Sequence, residues 1–206
     1  MNKLGKTILI MSAFFIIMLL ISCSSIEIQF QPNAMHNKPK RILIGAFENR
    51  MPEYKQYNPF INTNFRDSLK FEFVRLGYDA ELLTIDESKN ADNLTCSDKK
   101  TSDTNELQKN KINLGTGFKE PIKLCCEKFH SDMFIRGVIS ILETGELSDT
   151  KVSTFVSILM YNKDGEQIGE AHYNGSGQMG DANFIKTISK DFAEKINSTL
   201  KRTRFK

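Results

Sequence analysis

The sequence pattern with the most specific chemistry is a glycine-rich run, GSGQMG at residues 175–180, between a predicted strand and a predicted helix. In dinucleotide-binding folds, a G-x-G-x-x-G turn lets a pyrophosphate approach the amino terminus of the following helix. That fold also needs a further strand with an acidic residue about 20 positions onward, whereas this chain ends at Lys206, shortly after the helix. We therefore interpret the run as a glycine-rich turn, and we expect no nucleotide and no other cofactor.

The histidines and serines do not form a recognisable catalytic or metal-binding pattern. His36 precedes the first predicted strand, His130 ends a predicted helix and His172 lies within a predicted strand. No two of them have the spacing of metal ligands. No serine occupies the Gly-x-Ser-x-Gly turn of the hydrolases. We therefore predict no metal site, and the sequence favours a protein that is not an enzyme.

Cys23 differs from the other cysteines because it ends an apolar segment. Residues 8–21, ILIMSAFFIIMLLI, follow the positively charged Lys3 and Lys6. The run is too short for a membrane-spanning helix, which needs about 20 apolar residues, but its length and flanks are typical of a secretory signal. We therefore predict that residues 1–22 are a signal peptide.

Leu20, Ile21 and Ser22 lead directly into Cys23, and this order resembles the lipobox of bacterial lipoproteins, Leu-x-(small)-Cys, at which signal peptidase II cuts. Ile21 departs from the commonest form and leaves open the looser version that spirochaete-like lipoproteins show. The resemblance implies that the Cys23 thiol receives a diacylglyceryl group and becomes the first mature residue. Each buried acyl methylene contributes about 0.8 kcal/mol, so two or more chains anchor stably. The alternative is a plain signal peptide with an incidental cysteine.

The remaining cysteines are Cys96, Cys125 and Cys126. An exported protein meets an oxidising compartment, so Cys96 could pair with Cys125 or with Cys126. Such a bond would tie a polar segment to the core. The alternative is that Cys125 and Cys126 are buried thiols on a helix, since free cysteine packs as a small apolar residue.

Length and charge limit the class of partner. Cleavage before Cys23 would leave 184 of the 206 residues, which is enough for one domain with a substantial core. The loss of Lys3 and Lys6 would lower the formal net charge from +3 to +1. Such a small charge gives no electrostatic argument for nucleic acid. We expect the partners to be a membrane, through Cys23, and another envelope protein.

The first half of the chain is predicted to contain a tether and the start of the domain. Residues 23–40 show little periodicity and are predicted to be a flexible tether. A single domain is predicted over residues 41–206, and its first strand is the continuous apolar run RILIGAF at residues 41–47. Residues 60–76 have one apolar helical face, and residues 78–85 are predicted to be the second strand.

Residues 86–120 differ from the rest because they are rich in Lys, Asn, Ser, Thr and Asp. They contain too few large apolar residues to order themselves independently, so we predict a long polar insertion.

The second half of the chain is predicted to contain two helices and three strands. Residues 121–129 are predicted to be a short helix, and strands are predicted over residues 133–142, 152–161 and 167–174. The second and third of these are joined by NKDGE, a tight turn with the Asp-Gly signal of a hairpin. Asp181 is predicted to cap a final helix. Its apolar stripe is formed by Phe184, Ile185, Ile188, Phe192, Ile196 and Leu200.

This element order predicts an α+β fold, with a mixed β-sheet of about five strands packed by two or three helices. The runs RILIGAFEN, RLGYDAELL, MFIRGVISI and VSILMYNKDGEQIGE resemble the pattern of envelope lipoproteins in the CsgG-like, LpoB-like and TolB amino-terminal group. The resemblance spans residues 41–200 without the insertion. It implies a non-enzymatic adaptor, assembly or regulatory role in the cell envelope.

Two alternatives to that role remain open from the sequence. The first is a surface-exposed lipoprotein that binds host or environmental molecules through the polar insertion. The second is an envelope hydrolase whose site forms only in three dimensions. Ser24 is not the aspartate that retains lipoproteins in the inner membrane of enterobacteria, so the sequence favours the outer membrane and leaves open which face carries the protein.

Overall fold

The computed structural model describes residues 26–31, 35, 37–50, 59–83, 119–144 and 151–203. The elements in chain order are β1 (Ile26–Phe30), β2 (Arg41–Arg50), α1 (Pro59–Arg75), β3 (Asp79–Leu82), α2 (Lys119–Lys128), β4 (Met133–Thr144), β5 (Lys151–Asn162), β6 (Gln167–Ser176) and α3 (Ala182–Arg202). The strands form one six-stranded sheet in the order β1-β6-β5-β4-β2-β3. The predicted α+β class with a mixed sheet is confirmed.

The sheet has a parallel side and an antiparallel side. β2 runs parallel to both β3 and β4, whereas β4, β5, β6 and β1 alternate in direction. The β5–β6 connection is the predicted tight turn. Asn162 Oδ1 accepts hydrogen bonds from the backbone N–H groups of Asp164 at 3.0 Å and Glu166 at 2.9 Å. Gly165 takes a left-handed φ of 76°, which glycine adopts without steric cost.

The predicted tether over residues 23–40 is wrong for residues 26–30, because they form the edge strand β1. Ile26 lies opposite Tyr173 and Phe30 lies opposite Gly169 in the antiparallel pairing with β6. The segment IEIQF alternates apolar and polar residues, which is the period of a half-buried strand. Ile26 is buried, and Ile28 and Phe30 pack against the same core. Burial of this apolar face holds the segment on the sheet.

Helices α1 and α3 cover one face of the sheet and enclose the larger core. The rings of Phe47 on β2 and Phe65 on α1 meet edge to face at 5.1 Å, and Phe65 also meets Phe192 on α3 at 6.3 Å. All three side chains are at most 2% exposed. Burying a side chain of this kind contributes about 1.5–3 kcal/mol, so these contacts fasten both helices to the sheet.

The predicted apolar stripe of α3 is confirmed with one qualification. Phe184 is partly buried, while the other five members are buried. Asp181 caps this helix as predicted, since its carboxylate accepts a hydrogen bond from the backbone N–H of Asn183 at 2.8 Å.

Polar contacts join the two long helices at the end where α1 finishes. The Tyr78 hydroxyl donates a hydrogen bond to Asn197 Oδ1 at 3.0 Å, and both residues are buried. Arg75 pairs with Glu72 and with Glu194 of α3, each at 2.6 Å. No helix in the described part of the chain is long and apolar enough to cross a membrane.

Candidate interaction surface

The second face of the sheet is covered by a helix at one end only. There α2 packs on a smaller apolar cluster that contains Leu43, Phe134 and Tyr161. Within the described ranges, no other helix packs on this side. Beyond α2, a surface that we call the open face follows the strands. Its members are Glu48, Arg50, Arg136, Val138, Ser140, Leu142, Ser153, Phe155, Ser157, Leu159, Glu170, His172 and Asn174.

The register of the strands arranges the open face in rows. One row runs from Val138 through Ser157 to His172, because these residues are cross-strand partners. Ser140 and Phe155 are also cross-strand partners, and they form the neighbouring row. Since alternate residues of a strand point to opposite faces, the side chains of each row project from the same side. Small serines therefore separate the larger side chains.

An aromatic pair lies at the centre of the open face. The rings of Phe155 and His172 stack at 5.8 Å with 19° between their planes. His172 Nε2 lies 3.5 Å from Glu170 Oε1. His172 Nδ1 is buried and has no hydrogen-bond partner among the residues described. Stacking and the neighbouring carboxylate together orient the imidazole ring.

Charges of both signs surround this pair. Glu48 Oε1 accepts a hydrogen bond from Arg50 Nε at 2.9 Å. This hydrogen bond, together with the positive charges of Arg50 and Arg136, lowers the pKa of Glu48 despite partial burial. Arg136 itself lies in the row of Leu159 and Glu170. The open face is therefore a mixed surface and has no single dominant charge.

The open face brings a serine, a histidine and a carboxylate together without forming a hydrogen-bonded triad. Ser157 is the cross-strand partner of His172, and Glu170 lies two residues before His172 on β6. A serine nucleophile requires a hydrogen bond to its base, and no such bond joins Ser157 to His172 in this structure. The residues described also contain no group of three or more His, Cys, Asp or Glu side chains placed to hold a metal ion.

The arrangement is better suited to contact with another protein. Phe155 is 38% exposed and lies among serines and charged groups. Protein interfaces combine exposed aromatic and arginine side chains with a polar rim, and aromatic residues often carry much of the binding energy. The open face offers these features on rigid strands.

The predicted cysteine sites have different outcomes. Cys23 and Cys96 lie outside the described residues, so acylation of Cys23 stays a prediction. Cys125 is disulfide-bonded, whereas Cys126 is a free, buried thiol. Pairing of Cys96 with Cys125 also stays a prediction. The insertion that contains Cys96, residues 86–120, falls outside the described residues except for Lys119 and Glu120, which begin α2.

Burial makes Cys126 an unreactive group. Removal from water raises the pKa of its thiol from 9.0 to about 12, and the nearby carboxylate of Asp132 adds to this effect. Because the thiolate is the nucleophile, Cys126 acts as an apolar core residue on α2.

The interpretation of the glycine-rich run as a turn is confirmed for residues 177–180, whereas Gly175 and Ser176 are the last two residues of β6. Gly177 has a φ of 150°, and a Cβ atom there would lie 2.2 Å from the ring of Phe184. The Thr154 hydroxyl donates a hydrogen bond to the Gly177 carbonyl at 2.7 Å. Packing against α3 accounts for the glycine at this position.

The predicted positions of two histidines are also confirmed. His130 lies two residues beyond Lys128, the last residue of α2, and His172 lies on β6. His36 falls outside the residues that the structure describes.

The open face was not predicted as a site from the sequence. Alternation along β5 places Phe155, Leu159 and Tyr161 on one side of the strand. The number of predicted helices was a usable signal for this site. Two long amphipathic helices can cover one face of a sheet, and only one short helix remains for the other face. The ten residues of α2 cannot cover the other.

Comparison with known proteins finds similar folds at low identity. No protein-family model and no curated protein matches the chain. Among solved structures, a PelC dodecamer from Paraburkholderia phytofirmans has a TM-score of 0.49 and 7% identity, and covers 83% of this chain and 96% of that chain.

Two further solved structures are similar to this chain, and one of them is described as a lipoprotein. Lipoprotein GNA1162 from Neisseria meningitidis has a TM-score of 0.45 and 11% identity, and covers 78% of this chain and 99% of that chain. The LpoB C-terminal domain from Salmonella enterica has a TM-score of 0.36 and 12% identity, and covers 68% of this chain and 82% of that chain. At these values, none of these structures assigns a function to this chain.

Proposed function

We propose that this chain is a lipid-anchored protein of the cell envelope that binds another envelope protein and performs no catalysis. It acts as an adaptor, assembly or regulatory factor. The observation that carries this proposal is the open face, a rigid sheet surface with an exposed aromatic residue among serines and paired charges. The anchor is the acylated Cys23, which follows from the lipobox-like sequence at residues 20–23.

The composition of the open face supports a protein as the partner. Phe155 supplies apolar contact area, while Arg50, Arg136 and Glu48 supply charges that select among partners. Polar side chains in the rows around Phe155 keep this surface soluble when no partner is bound. A small-molecule site needs a concave pocket that buries most of its ligand, whereas the open face follows the surface of a sheet.

A site-specific photo-crosslink tests this proposal. A photoreactive phenylalanine analogue replaces Phe155 in the full chain, expressed in the native cell. A matched variant carries the same analogue at Lys190, which is exposed on α3. We expect a discrete adduct from position 155 and none from position 190. Equal labelling from both positions, or from neither, would contradict the proposal.

A second variant separates binding from chance proximity. Ser157→Arg places a long cation at the centre of the open face, next to the aromatic pair, without disturbing the core. It should abolish the adduct from position 155. Thr187→Arg, a change on the exposed side of α3, should leave the adduct unchanged.

The anchor has its own test. Cells supplied with radiolabelled palmitate should label the native chain and not Cys23→Ala. The variant should also remain unprocessed. Absence of label from the native chain would refute the anchor, whatever the crosslinking result.

Protease treatment of intact cells addresses the alternative of a surface-exposed binding protein. Protection of the native chain supports a periplasmic adaptor in the outer membrane. Cleavage favours a protein that binds host or environmental molecules.

A further inference from the structure

The folded domain begins very close to the proposed acylation site. Only Ser24 and Ser25 separate Cys23 from Ile26, the first residue of β1. An extended chain spans at most about 3.6 Å per residue, so the Cα atoms of Cys23 and Ile26 are within about 11 Å of one another. β1 is paired with β6 along its whole length. The lipid therefore attaches almost directly to the edge of the sheet.

The register defines which end of the sheet lies nearest to this point. Ile26 is level with Tyr173 on β6, which pairs with Val156 on β5, and Val156 pairs with Ile139 on β4. β1 runs away from its first residue, Ile26, and β4 runs toward the level of Ile26 and past it. Leu142 lies three residues beyond Ile139 in that direction, at the end of the sheet where the chain enters β1. We call this end of the sheet the anchor-side end.

The amino terminus of α1 lies at the same end. The side chain of Asn62 donates a hydrogen bond to the carbonyl of Phe47, near the end of β2, whereas Arg66 further along the helix reaches the carbonyl of Ile44 at 3.3 Å. α1 thus runs back from the anchor-side end. Phe60 therefore stands at that end, on the helix layer.

Two of the most exposed apolar side chains occur at the anchor-side end. Phe60 is 68% exposed and Leu142 is 59% exposed. They come from different layers, one from a helix and one from the open face. Among the comparable residues that lie elsewhere, Phe71 on α1 is 62% exposed and Leu124 on α2 is 52% exposed. These two serve as matched controls for position.

We infer that the domain docks on the phospholipid bilayer by its anchor-side end, with Phe60 and Leu142 entering the interface between headgroups and acyl chains. This inference rests on the proposed acylation of Cys23. Two exposed apolar side chains bind a bilayer only weakly on their own, but a short link to an anchor holds them at high effective concentration beside it. A distant partner protein or a second copy has no such advantage at this end.

Tryptophan fluorescence tests the docking because the chain contains no tryptophan. The full-length acylated protein is prepared as Leu142→Trp and, separately, as Leu124→Trp. Each variant is reconstituted in vesicles of phosphatidylethanolamine and phosphatidylglycerol, with and without brominated acyl chains, and recovery is checked by flotation. We expect brominated lipid to reduce the L142W emission, because an interfacial apolar side chain is buried at the boundary of headgroups and acyl chains, and to leave the L124W emission nearly unchanged.

A second substitution tests whether Phe60 belongs to the same surface. Phe60→Ser, added to L142W, should weaken the quenching by brominated lipid. Phe71→Ser, added to the same background, should not. Both phenylalanines are exposed on the same helix, so general effects on α1 are matched.

The outcomes separate the docking from the anchor. If both tryptophan variants float with the vesicles but neither is quenched, or both are quenched equally, the docking is wrong and the anchor stands. If neither variant floats, the anchor and the docking both fail. If the L142W emission is blue-shifted already in detergent and brominated lipid does not quench it, the residue contacts protein, and the docking is again wrong.

Discussion

Gly137 shows how one residue holds the sheet and the helix layer together. It lies on β4 at a point where the ring of Phe47 packs over the strand. A Cβ atom at this position would lie 2.1 Å from the Ser157 carbonyl oxygen and 2.5 Å from Phe47 Cε1. The first of these is a backbone atom of the neighbouring strand and cannot move away easily. The absence of a side chain at Gly137 is therefore required for packing.

Replacement of Gly137 by alanine should destabilise the domain strongly. Overpacking of this kind costs about 3 kcal/mol, because the β4–β5 pair or the Phe47 ring must shift. Gly180→Ala is the control, since a Cβ atom there would meet nothing within 4 Å. Urea unfolding measures both variants. Equal stability of the two would show that the strand pair adapts without cost.

The free thiol of Cys126 predicts a pH dependence of stability. Its folded pKa is about 12, against an ordinary value of 9.0. Between these values the unfolded chain loses the proton while the folded chain keeps it, so stability falls as the pH rises through this window. Burial also raises the pKa of Tyr78 and Tyr161, and they add to the same trend.

The contribution of Cys126 can be isolated by substitution. Cys126→Val removes the thiol and keeps an apolar side chain in the small cluster. The loss of unfolding free energy between about pH 8 and about pH 10 should be smaller in this variant than in the native chain. Parallel pH profiles for the two proteins would contradict the assignment.

Cys125 and Cys126 lie on a helix, as the sequence predicted, but the sequence did not indicate which of the two forms a disulfide bond. Adjacent helical residues point about 100° apart around the axis, so only one of them faces a given neighbour. Which one does so depends on how α2 rotates against β4 and β5. That rotation is set by Leu43, Phe134 and Tyr161, which are distant in sequence.

At the scale of elements, α3 follows closely from its sequence because each of its signals is local. The apolar spacing fixes the buried stripe, and Asp181 fixes the first turn through its hydrogen bond to Asn183. β1 was missed for the opposite reason. Its apolar and polar residues alternate, but a run of five is too short to identify a strand by itself, and the pairing of β1 with β6 depends on residues far along the chain.

Removal of the α3 cap should have a modest and specific effect. Asp181→Ala leaves the backbone N–H of Asn183 without its partner and should cost about 1 kcal/mol. Asp181→Asn retains an acceptor and should cost much less. Thermal unfolding monitored by circular dichroism distinguishes them. If both variants melt with the native protein, the cap contributes nothing measurable.

The open face was not predictable at the element scale from pattern alone. β5 carries large apolar residues on both sides, although Ser153 and Ser157 alternate with Phe155 and Leu159 on one of them. This pattern does not indicate whether a helix covers that side. Only the tertiary arrangement shows that α1 and α3 lie on the same side and leave the other to α2.

At the scale of the whole molecule, the anchor-side end and the open face fit together. If the anchor-side end docks on the bilayer, the strands extend away from the membrane and the open face is directed parallel to the membrane surface. Its aromatic pair is then accessible to a protein that occupies the same membrane. α2 and the disulfide-bonded Cys125 lie at the far end of the sheet.

This arrangement depends on the short distance between Cys23 and Ile26. An insertion of about 20 Gly and Ser residues after Ser25 would give a flexible link of about 25 Å on average. Quenching of the L142W tryptophan by brominated lipid should then decrease, although flotation persists. Unchanged quenching would show that the bilayer holds the domain without help from the short link.

The pairing of Ile26 with Tyr173 also sets the order in which the molecule is completed. A ribosome makes β1 first among the strands described, yet β6, the only described strand that pairs with β1, is made last among them. The edge strand must therefore wait until nearly the whole polypeptide has been synthesised. Contacts between residues so far apart in sequence slow folding. The first strand to be synthesised is therefore among the last to pair in the sheet.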